Sequence, residues 1–141
     1  MALTQTRVFQ AIQSTLGPDA TIIAKAPGGV FLDDAPASLT TTPWIVYSQL
    51  TTLRDIQGRG AQLVMGKGLI QVQAVGRLPT DAQSMQDAID RVDALLNGLK
   101  GLTIGGATIV RLARDRELSY SEVINGVRFG HWGIVYQWWA Q

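Results

Sequence analysis

The sequence contains no cysteine and a single histidine, His131. The first absence excludes a disulfide framework and any thiolate metal site. The second leaves a zinc-type centre without its usual donors, and no acid cluster with ligand spacing surrounds His131. Asp33-Asp34 offers oxygen ligands of the kind a hard cation takes, yet a solvated loop pair is the favoured reading, so neither cofactor nor metal is expected. Charge is scarce as well. Asp, Glu, Lys and Arg make up 16% of the chain, against roughly 25% in an average domain. The formal net charge of +1 argues against electrostatic capture of nucleic acid or an anionic membrane as the main task. No run approaches the ~20 apolar residues of a membrane span. The start, Met1-Ala-Leu-Thr-Gln-Thr-Arg, lacks the charged-then-apolar order of a signal peptide. The missing cysteines fit the cytosol. A lightly charged surface fits a protein partly covered by partners, and equally a modestly soluble monomer.

What is present is a core. The 141 residues are 46% hydrophobic, enough for one domain over 1–141. The closing stretch is the most informative. Ser119–Ile124, Asn125-Gly126 and Val127–Trp139 read as a β-hairpin, because Asn-Gly tolerates the positive φ of a type I′ turn. On the outgoing strand Phe129, Val135 and Trp139 fall on one face. Trp132, Ile134, Tyr136 and Trp138 fall on the other, since side chains alternate. Both faces are apolar, so both want cover.

Upstream, Val8, Ile12 and Leu16 give residues 4–16 a helical period, stopped by Gly17-Pro18. Thr21–Ala24 and Val30–Leu32 read as short strands, and residues 33–42 as loop. Pro43 opens a strand over Trp44–Thr51. Residues 52–60, with Arg54, Asp55 and Arg59, read as a projecting loop. Ala61–Met65 and Leu69–Val75 are strand-like, separated by a glycine turn. Thr80 and Gln83 form a capping box for a helix whose stripe is Met85, Ala88, Ile89, Val92, Leu95, Leu96 and Leu99. Leu102–Ile104 and Ala107–Ala113 follow as strands, then a charged turn, Arg114-Asp115-Arg116-Glu117. Two helices are too few to cross over between every strand pair. The expected class is therefore α+β: a largely antiparallel sheet, two helices packed on one face, and a C-terminal β-hairpin.

No catalytic constellation stands out. Gly60 and Gly66-Lys67 miss the phosphate-loop spacing, and Gly68 stands where Ser or Thr is needed. His131 has Phe129 and Gly133 at i±2, neither of which can orient or relay for an imidazole. The tryptophans lack the basic groove that base stacking needs, so packing is the better reading. Arg54, Asp55, Arg59, Arg114, Asp115, Arg116 and Glu117 are candidate assembly-contact residues, against the plainer reading of solvated loops.

Several stretches together carry a resemblance: Asp-Asp-Ala-Pro, Pro-Trp-Ile-Val-Tyr, Ile-Gln-Val-Gln-Ala-Val-Gly-Arg, Thr80-Asp-Ala-Gln leading a helix to Leu-Leu-Asn-Gly, and Arg-Glu-Leu-Ser-Tyr-Ser-Glu before an aromatic strand. The chain resembles the tail-completion, or tail-terminator, proteins of long-tailed bacteriophages and gene-transfer particles over nearly its whole length. The resemblance implies a non-enzymatic virion protein at the head–tail junction, assembled in the host cytoplasm. It implies a homo-oligomeric ring, usually a hexamer, that caps the head-proximal end of the tail tube and stops its polymerisation. It further implies that the ring meets the major tail tube protein on one side and a neck, connector or head-closure protein on the other. DNA would pass through the lumen without specific binding, and no membrane is involved. Two other readings stay open. One is a neck or head-closure (head–tail joining) protein. The other is a small-molecule-binding α+β domain with an aromatic pocket between helices and sheet.

Overall fold

The structure, a computed structural model, describes residues 3–57, 63–104 and 107–140. Three helices and six strands follow one another as α1 (Leu3–Leu16), α2 (Ala20–Lys25), β1 (Val30–Leu32), β2 (Trp44–Gln57), β3 (Leu63–Arg77), α3 (Ala82–Leu96), β4 (Leu102–Ile104), β5 (Ala107–Ile124) and β6 (Val127–Ala140). The strands form one sheet in the order β1-β2-β3-β6-β5-β4. Every pairing is antiparallel except β1 with β2. The α+β class, the mainly antiparallel sheet and the closing hairpin are as the sequence predicts.

Five local expectations give way. Thr21–Ala24 is not a strand but part of α2, because the Asp19 carboxylate accepts from Ile22 N at 3.1 Å and starts a helical turn. That cap outweighs the strand preference of a short β-branched run. The capping box of Thr80 and Gln83 does not form. Asp81 takes the N-cap position, and its carboxylate accepts from Arg77 N at 2.8 Å instead of closing on the helix. Residues 52–57 are not loop but the far half of β2, and Gly66 to Gly68 are not a turn but the middle of β3. Arg114 to Glu117 are likewise no turn: β5 runs straight through them, with one residue extra between Arg114 and Arg116. Such a bulge lets a strand bend without ending.

The core lies between the helices and one sheet face. Val8, Ile12 and Leu16 of α1 and Met85, Ala88, Ile89, Val92 and Leu96 of α3 bury against Ile45, Tyr47, Ile70, Val72, Ile134, Tyr136 and Trp138. The Val, Leu, Ile and Met side chains among them each contribute about 1.5–3 kcal/mol on full burial. Asp19 ties α2 to α3 by a two-pronged pair with Arg91, at 2.8 and 3.1 Å. This pair holds the Asp19 carboxyl below the usual carboxylate range.

The opposite sheet face is also partly dry. Val46, Val75 and Val135 are buried there, as is Gln73, all at positions alternating with the core residues of β2, β3 and β6. The closing hairpin turns on Asn125 and Gly126, with φ of 51° and 78°, as a type I′ turn requires. Beyond Ile109 no strand lies on the outer side of β5 among the described residues. The segment 97–99 covers its backbone only near Leu112 and Arg114.

Candidate functional site

The second sheet face, the one turned from the helices, carries two chemically different ends. At one end register places Trp44, Val75, His131 and Tyr120 in a single row across β2, β3, β6 and β5. Tyr120 stacks on the imidazole with ring centroids 4.4 Å apart and planes 5° from parallel. Glu122 reaches diagonally to His131 Nε2 at 2.7 Å. Sequence neighbours along β6 could not disclose these partners, because they arrive from the adjacent strand. The 9-residue separation of Glu122 and His131 is the signal a hairpin reading could have used.

Beside this row Trp44 and Phe129 lean together with ring centroids 6.3 Å apart. Val46 and Gln73 sit in the next row, opposite Gly133. Gly133 is required there, since a Cβ would lie 2.4 Å from Val72 O and 2.7 Å from Gln73 Cβ. Asp33, held at a φ of 64°, and Asp34 close the side. The result is a cavity of about 240 Å³ whose polar lining is Asp33, Asp34, Gln73, Glu122 and His131. Among the described residues, no serine, threonine, cysteine or lysine lines it. A carboxylate–imidazole pair is therefore present without a side-chain nucleophile beside it.

At the other end of the same face Lys67 and Arg111 flank Trp139 across β3, β6 and β5. The Arg111 guanidinium lies 5.8 Å from the Trp139 ring centre. In sequence only Arg128 lies close to these tryptophans, and no basic groove accompanies them. Pairing gives Trp139 basic neighbours, while Trp138 and Trp132 pack on the helix side. The three tryptophans thus share no platform.

The candidate contact residues divide. Arg54 and Asp55 lie in β2, opposite Lys67 and Gly66. Arg59 falls outside the described residues. In β5, Arg114 turns inward: it pairs with Asp93 of α3 at 3.1 Å and also with Glu117. Asp93 in turn accepts from the buried Tyr136 hydroxyl at 2.9 Å. Burial first, and then Asp93, push the Tyr136 phenol well above its ordinary range. Arg116 pairs with its neighbour Asp115 at 2.6 Å and stays exposed. Arg114 is therefore partly a structural tie, Asp115 and Arg116 stay exposed in β5, and Glu117 turns to the helix side beside Arg114.

On the helix side a second cleft, of about 250 Å³, lies between α3 and β5–β6 and is lined by Gln86, Ile89, Glu117, Ser119, Trp132 and Ile134. Trp132 is the one aromatic residue in its lining among the described residues. No three His, Asp or Glu side chains among the described residues could hold a metal ion. No helix among them is long and apolar enough to cross a membrane.

The sequence matches no protein family and no curated protein. Solved structures do match. A chain from the virion of a native gene transfer agent particle superposes with a TM-score of 0.78 at 14% identity, over 99% of this chain and 98% of its own. A second solved chain superposes with a TM-score of 0.54 at 15% identity, over 97% and 96%. From end to end, the fold of this chain is thus similar to that of one component of a gene-transfer virion.

Proposed function

We propose that this chain is a structural virion protein that closes into a ring, with six copies, on the head-proximal end of a phage-type tail tube. The ring ends tube growth and joins the tail to the neck. The observation that carries the reading is the end-to-end likeness to a chain of a gene transfer agent virion, at a TM-score of 0.78. Two features of the chain support it. Both sheet faces bear large apolar side chains, and the hairpin leaves Tyr120 and Val123 51% and 69% exposed. A closed ring joins unlike patches of successive copies. The open side of β5, bearing Asp115 and Arg116, is one such patch, and the Arg54–Asp55 half of β2 is another. The other face of the ring meets the neck or head-closure protein, and DNA traverses the lumen without base-specific contacts.

The test is to mix purified protein with tail tubes and with portal rings and to image both. Ring-shaped density at one tube end, with longer tubes when the protein is left out, is the expected result. Binding to portal rings alone would reassign the chain to head closure. Binding to neither would end the virion reading.

A further inference from the structure

We infer that the cavity on the second sheet face is a binding site for a guanidinium group. Its lining is rich in acceptors and poor in donors. Asp33, Asp34 and Glu122 bring three carboxylates, and among the described residues no lysine or arginine lines it. Gln73 is only 7% exposed, yet its Oε1 is buried without a hydrogen-bond partner. Buried acceptors of this kind are normally satisfied, and leaving one open costs free energy that a bound donor recovers. His131 does not serve it: Nε2 is held by Glu122, and Nδ1 is itself buried without a partner.

The spread of the acceptors decides between kinds of cation. A metal ion needs its ligands to converge on one point, and among the described residues no three His, Asp or Glu side chains do so. A guanidinium carries five N–H donors in a flat fork and can answer acceptors set apart around a rim. It also binds to aromatic faces more readily than a hydrated ammonium. Trp44 and Phe129 provide those faces. The volume of about 240 Å³ falls below the roughly 300–1,000 Å³ of sites for whole drug-sized ligands. It suits a head group, such as an arginine side chain from another polypeptide or a free guanidino compound. Arg77, across the strand pair from Phe129, is not among the lining residues. The inference does not depend on the ring reading.

The test follows the Trp44 indole N–H by NMR, assigned through W44F, while Nα-acetyl-arginine amide is added at constant ionic strength. Saturable binding is expected. The neutral citrulline analogue and tetramethylammonium should each bind about tenfold more weakly, as loss of a charged hydrogen bond dictates. Glu122→Gln and Gln73→Leu should each weaken binding several-fold, with distant resonances unmoved to show that the fold persists. Failure to saturate would overturn the assignment, as would an equal response to the citrulline analogue or full binding by the Asp34→Asn/Glu122→Gln double variant. Sedimentation identifies the source. If acetyl-arginine amide dissociates copies that associate at high concentration, the guanidinium comes from a neighbouring copy; if association ignores it, the site takes a free ligand. Either result requires the guanidinium site.

Discussion

The Trp138 indole occupies the space that a side chain at residue 68 would fill: a Cβ on Gly68 would lie 2.8 Å from the ring. The two residues are cross-strand partners on β3 and β6, and Trp138 is buried. The glycine therefore seats an aromatic ring, and no phosphate is needed to explain it. Gly68→Ala should cost about 1–3 kcal/mol, the range for overpacking a filled core, read from urea unfolding. Gly130→Ala is the comparison. Its Cβ would meet the Leu78 and Met85 side-chain ends at 2.8 and 3.2 Å, which can turn away, so it should cost less.

The link from Tyr136 through Asp93 to Arg114 joins β6, α3 and β5. Tyr136→Phe should destabilise by about 1.5 kcal/mol, the lower figure for a hydrogen bond to a charged partner, because Asp93 is partly wet. Folding raises the phenol above its ordinary value of 10.0. Its contribution is thus complete below that pH and drains away as pH rises above it. The variant should have a flatter alkaline limb in stability measured against pH. An unchanged limb would contradict the link.

Asp19 titrates in the opposite sense. Arg91 holds it below 3.8 in the folded protein, so its contribution is present above that pH and is lost as pH falls below it. Asp19→Asn should lower stability at neutral pH and should flatten the acid limb of the stability curve. Parallel acid limbs for variant and parent would count against the pair.

Turn chemistry and assembly separate at the hairpin tip. Gly126, at a φ of 78°, should resist substitution, and Gly126→Ala should cost about 1–2 kcal/mol. Val123→Ser should stay within about 0.5 kcal/mol of the parent, since the side chain is exposed. If the ring reading holds, the same change weakens tube capping in the imaging assay. Intact capping would remove the hairpin from the interface.

Local signals disclosed most of the fold. The period of Met85 to Leu96 and the Asn125-Gly126 turn each needed only a few adjacent residues. The misplaced turns share one physical cause: an interruption in composition is not an interruption in structure. Glycines 66 and 68 looked like a turn because their reason, Trp138, lies on another strand. Arg114 to Glu117 looked like a turn because their tie, Asp93, lies on a helix. The site suffered most, since Glu122, Tyr120, Gln73 and Asp33 meet His131 or its cavity only through sheet register. Sequence spacing carries register only where a short turn fixes it, as it does between Glu122 and His131.

One consequence concerns the unpaired margin of β5. A bare strand edge is a template on which any extended chain can grow, and proteins guard against this with bulges and charge. Here the guard is explicit. The extra residue between Arg114 and Arg116 breaks the register there, and a run of four charged residues falls at that point, of which Arg114 turns in to Asp93 while Asp115 and Arg116 stay exposed. That run therefore acts before any partner arrives: it keeps a newly made chain from adding to its neighbours in the wrong register, and leaves the margin open only to a surface whose charges answer its own.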